Sequence, residues 1–89
     1  VNLMELAPYR ARIEVKLKPG YIDPEGETAR KALVELRYDV KRVGTAKVYE
    51  LDFMASSIED AKKQVEEMCR KLLSNPVKDD YVFEVKELK

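Results

Sequence analysis

Between Ala11 and Lys18 the side chains alternate without a break. Ile13, Val15 and Leu17 take one parity; Arg12, Glu14, Lys16 and Lys18 take the other. Successive side chains of an extended chain point to opposite faces, so this run buries one face and wets the other. It predicts a half-buried strand of an antiparallel sheet, ended by Pro19-Gly20. A sheet of this kind needs an apolar layer on its dry face, and the rest of the chain must supply it.

Two helical patterns are available. Asp23 is a good N-cap, Pro24 suits the first helical position, and Glu25 and Glu27 lie where the helix dipole favours anions. Ala29, Ala32, Leu33 and Leu36 follow at helical spacing, which predicts a helix over Pro24–Arg37. Gly26 in its first turn is either a tolerated imperfection near a helix end or a point of close packing where a side chain would not fit. Ser56 and Ser57 ahead of Glu59 and Asp60 cap a second helix, whose apolar stripe is Ala61, Val65, Met68, Cys69 and Leu72. Asn75-Pro76 stops it, and after Asp79-Asp80 a last alternating strand carries Tyr81, Phe83 and Val85 on one face. The stretch Tyr38–Phe53 is two-sided: Val43, Tyr49, Leu51 and Phe53 are odd, Val40, Ala46 and Val48 even. Two strands joined near Gly44, or one long strand bulged there, would each explain the break.

The order is β-α-β-(β)-α-β, an α+β, ferredoxin-like layout with an antiparallel sheet and both helices on one face. At 89 residues there is one domain, over 11–89, behind an N-terminal extension over 1–10. No targeting pattern opens the sequence and no apolar run approaches a membrane span.

Chemistry is constrained by what is missing. There is no His, so no imidazole base and no His-ligated metal; one Cys allows neither a disulfide within the chain nor a thiolate cluster. A reducing cytoplasm is expected for so small an unstapled domain. Lys plus Arg is 17 and Asp plus Glu is 17, without the basic excess of a nucleic-acid binder. The layout matches an RNA recognition motif, but the outer face of the central segment offers Val48, Glu50 and Asp52 rather than stacking aromatics. Asp79 and Asp80 point to opposite faces and do not converge as a carboxylate pair. Cys69 reads as a small core residue, and Gly20, Gly26 and Gly44 are too scattered to cradle a phosphate. No catalytic, cofactor or metal residue is assigned.

Four stretches are more specific: ARIEVKLKPGYIDPEGETARKAL, VKRVGTAKVYELDF, EEMCRKLLSNPV and DDYVFEVKEL. In order and spacing they resemble the PurS family, small subunits of phosphoribosylformylglycinamidine (FGAM) synthase, from Ala11 to Leu88. The Asp23-Pro24-x-Gly26 turn and the run from Cys69 through Asn75-Pro76-Val77 to Asp80-Tyr81 carry most of the likeness. The spacing of Arg42–Lys47 departs from the common family pattern.

The resemblance implies a non-catalytic, cytoplasmic subunit of purine biosynthesis. It would bridge a glutaminase, PurQ, and a synthetase, PurL, and assist ammonia transfer as FGAR plus glutamine become FGAM plus glutamate. ATP and Mg2+ would sit on the synthetase. A ferredoxin-like regulatory domain resembling ACT modules is the alternative. Asp23, Pro24, Gly26, Asn75, Pro76 and Val77 are the candidate partner-facing residues, since rigid loop-like ends could be built from other residues; helix start and stop chemistry explains the same residues. An obligate homo-oligomer, most simply a two-fold dimer, is expected as well. An unbroken Tyr38–Phe53 strand would run roughly 50 Å, too long for one small sheet to cover. A second copy could cover it by pairing or by exchanging the first helix and its neighbouring strand, whereas a closed hairpin would leave a monomer.

Overall fold

The structure, a computed structural model, describes residues 5–89. Its elements are β1 (Ala7–Leu17), α1 (Pro24–Glu35), β2 (Lys47–Ala55), α2 (Ile58–Met68), a π-helical turn (Cys69–Leu73) and β3 (Asp79–Glu87). β1 is the centre of a three-stranded antiparallel sheet of order β2-β1-β3.

Register follows the alternation. Ile13 lies between Tyr49 of β2 and Phe83 of β3, and Ala11 between Leu51 and Val85. These rows form the dry face. Arg10, paired with Asp52, and Arg12, between Glu50 and Glu84, belong to the wet one. Arg10 grips Asp52 with two bonds, 2.8 and 3.1 Å, and lies 46% exposed, so the pair adds little stability.

β1 starts earlier than the alternation alone suggests. Tyr9 continues the odd-parity set opposite Phe53 and is 4% exposed, so the expected boundary after residue 10 falls inside the strand. Residues 1–4 of the expected extension lie outside the described residues.

α2 is laid on the dry face. Ser57 Oγ accepts from the Asp60 amide at 3.0 Å, and Asp60 accepts in return from the Ser56 amide at 3.0 Å. The capping expected from Ser56, Ser57 and Asp60 is present and reciprocal. Ala61, Val65 and Cys69 are fully buried: Val65 and Cys69 pack over Ala11, Ile13 and Val15 of β1, and Ala61 over Tyr9 and Ala55. Burying side chains such as Ile13 and Val65 contributes about 1.5–3 kcal/mol each.

Leu72 departs from the predicted stripe: it is 81% exposed, while Leu73 packs on the core. The π-helical turn is the cause. Its i→i+5 bonding, seen where the Ser74 amide meets the Cys69 carbonyl at 3.0 Å, rotates the residues after Cys69 out of α-helical phase.

Neither the hairpin nor the unbroken strand forms over Tyr38–Phe53. Among the described residues there is no strand between α1 and Lys47, and the segment contributes only to β2, which begins at Lys47. The parity break gives 38–46 no consistent face to bury, and its end is bonded to the start of α1 instead. α1, ending at Glu35 rather than Arg37, contributes no residue to the core clusters and buries only Gly26. Helix α1 and residues 38–46 therefore form a limb standing off the sheet, and the molecule measures 63 × 29 × 14 Å.

Candidate partner-binding surface

The predicted partner-facing residues fall into two turns at one end of the sheet. Asp23, Pro24 and Gly26 open α1; Asn75, Pro76 and Val77 lead into β3. Two bonds bring the turns together: the Lys18 amide donates to the Lys78 carbonyl at 2.8 Å, and the Tyr21 hydroxyl to the Val77 carbonyl at 3.4 Å. On the side of the first turn the link runs through Tyr21 and Lys18 rather than Asp23, Pro24 or Gly26; on the other side the predicted Val77 takes part through its carbonyl.

The second turn is held from within. Asn75 Oδ1 accepts from the Val77 amide at 2.9 Å, and Asp79 accepts from the Asn75 amide at 2.8 Å. The backbone amides of Lys78 and Asp79 both return to the Asn75 carbonyl. This Asx turn presents Val77, 71% exposed, to solvent. Tyr21, Ile22 and Leu72 are likewise exposed. An apolar side chain held outward by a bonded turn loses little entropy on docking. Sequence reasoning missed Leu72, whose signal is masked by the π turn. It also passed over Tyr21 and Ile22, apolar residues before a cap that no helical or strand period claims.

The first turn is held more tightly. Asp23 Oδ1 accepts from the Gly26 amide at 2.9 Å, and Oδ2 accepts from both the amide and the hydroxyl of Thr45 at 2.7 Å. The Gly26 amide, then the Thr45 hydroxyl and amide, hold the Asp23 carboxyl below its ordinary pKa. A Cβ on Gly26 would run into the Val43 carbonyl oxygen, a backbone atom that cannot step aside. The close-packing explanation of Gly26 holds.

Other candidate groups do structural work. Cys69 is fully buried, and burial raises its thiol pKa. Asp80 pairs with Lys18 at 2.9 Å while Asp79 caps Asn75, so the two carboxylates do not converge. Tyr81 donates to Glu66, pinning β3 to α2; that bond, with burial, pushes its pKa up to about 12. An open cleft of about 680 Å³ lies where the limb leaves the sheet, lined by Lys16, Lys18, Tyr21, Asp23, Arg42 and Thr45 among others. Its charges are mixed, and Lys18 and Asp23 are already engaged. Among the described residues no group of three or more acidic or Cys side chains could hold a metal. No helix among them is long and apolar enough to cross a membrane.

The chain is similar to known proteins over most of its length. Residues 10–87 match the family model PurS, phosphoribosylformylglycinamidine (FGAM) synthase. The chain is similar to the FGAM synthase subunit PurS of Archaeoglobus fulgidus, 47% identical over 80% of this chain and 90% of that one. A crystal structure of Methanocaldococcus jannaschii PurS, described as one of the subunits of formylglycinamide ribonucleotide amidotransferase, matches with a TM-score of 0.79. It is 43% identical and covers 91% of this chain and 99% of that one. A chain in the structure of PurLQS from Thermotoga maritima matches with a TM-score of 0.77 at 34% identity, covering 91% of this chain and 98% of that one. In family model, full-length identity and fold alike, the chain belongs to the PurS family of phosphoribosylformylglycinamidine synthase subunits.

Proposed function

We propose that this chain is the non-catalytic joint of a three-part FGAM synthase. It holds a PurQ-type glutaminase to a PurL-type synthetase and helps ammonia pass between them. The observation that carries this is its likeness, over nearly the whole of both chains, to a chain of the PurLQS assembly. The inventory accords with it: with no His and a single, buried Cys, the chain offers no His- or Cys-based nucleophile–base pair. ATP and Mg2+ are placed on the synthetase by the family resemblance. Retention is the physical need. Ammonia released to bulk water is protonated, and ammonium has no lone pair with which to attack. The Asn75–Val77 turn with Leu72 and the Asp23–Gly26 turn are the docking features. The cytoplasm, which keeps a lone thiol such as Cys69 reduced, is the setting.

The chain also associates with itself through the limb. Val34, Leu36 and Tyr38 are 45%, 66% and 60% exposed, more apolar surface than a short helix in water can leave uncovered. A second copy is the occupant because limb and sheet in one chain leave each other bare.

Reconstitution tests the function. With PurL- and PurQ-type partners, omitting the chain should abolish glutamine-dependent FGAM formation while leaving the reaction supplied with an ammonium salt. An unchanged glutamine-dependent rate without it would overturn the proposal.

A further inference from the structure

One side chain, Asp23, ties the two ends of the limb together. Open clefts of about 680 and 700 Å³ flank the point where it leaves the sheet, and Thr45 and Ala46 line both. Packing on the sheet therefore does not brace it there. Asp23 instead closes the base of the limb, where Gly26 packs against Val43: one oxygen caps α1 through the Gly26 amide, and the other holds Thr45, which lies 22 residues further along the chain. We propose that Asp23 is a positioning residue of the assembly, dividing its two oxygens between helix and returning chain so that the limb meets a second copy as one body. This rests on the reading that the chain associates with itself through the limb.

A carboxylate is required here. An amide has one acceptor oxygen, so Asn at this position can accept from the Gly26 amide or from the Thr45 amide but not from both through separate oxygens, and its NH2 can meet only the Thr45 hydroxyl. Asn is as good an N-cap as Asp, so a role in capping alone predicts little change on substitution. The lowered pKa of Asp23 accords with a carboxylate ionised and accepting from three donors.

The test is sedimentation of the full chain over a dilution series, for wild type, Asp23→Asn and Thr45→Val, with amide exchange read at Gly26 and Thr45. Asp23→Asn should weaken self-association by at least about tenfold and release one of the two amides, with Cys69 still unreactive as a check on the sheet. Thr45→Val, which leaves the cap intact, should weaken association in the same direction by less. A wild-type assembly with both variants within about twofold of it would overturn the proposal alone. If Asp23→Asn exposes Cys69, Thr45→Val decides by the same criterion. A wild-type chain that stays monomeric removes the self-association reading, and the proposal with it.

Discussion

At the scale of single residues, two side chains carry loads that exposure alone would not reveal. Tyr81 donates to Glu66 across the α2–β3 contact, and its folded pKa of about 12 lies above the ordinary 10.0. The neutral phenol is thus favoured by folding. That stabilisation is complete below pH 10 and is lost as pH rises toward 12. Denaturant melts between pH 9 and 12 should show this loss, and Tyr81→Phe should flatten it while costing about 1 kcal/mol at neutral pH. Arg37 is the second. Its φ of 77° places a side chain in the left-handed region. Its amide and that of Tyr38 close on the Val34 and Leu33 carbonyls at 2.9 and 3.1 Å, the Schellman pattern that glycine usually ends. Arg37→Gly should therefore stabilise α1 by about 1 kcal/mol, seen as slower amide exchange along that helix. Cys69 gives a simpler outcome: fully buried, its thiol should resist labelling until the protein unfolds.

At the scale of elements, the chain divides into parts that local pattern determines and parts that contact determines. β1, β3 and the two helix starts were legible because alternation and capping act within a few residues of each other. Asp23, Pro24, Ser57 and Asp60 do in the structure what their types and order predict. The end of α2 was not legible, since nothing in Arg70-Lys71-Leu72 announces a π turn. The path of 38–46 was not legible either. It is settled by Thr45 reaching Asp23, a contact too distant in sequence for any periodicity to report. Of the candidate surface, the two turns could be read from the sequence. Their meeting through Tyr21 and Lys18 depends on β1 and β3 being neighbours. Gly26 tests the joint between helix and returning chain. Gly26→Ala forces the first turn of α1 off the Val43 carbonyl, so it should weaken assembly more than it lowers the melting of the sheet. Equal losses in both would mean that the limb contributes to the fold and not to docking.

At the scale of the whole molecule, the shape is that of a part. A chain of 89 residues builds a small core between β1 and α2, then extends to 63 Å with a limb on which Val34, Leu36 and Tyr38 stay exposed. Membership of the PurS family gives such exposed side chains a use in a synthase of several chains. The cover proposed for the limb is a second copy, and light scattering on the purified chain at micromolar concentration tests that most directly. The mass should be a multiple of 10.3 kDa; a single species of 10.3 kDa that persists on concentrating would contradict it.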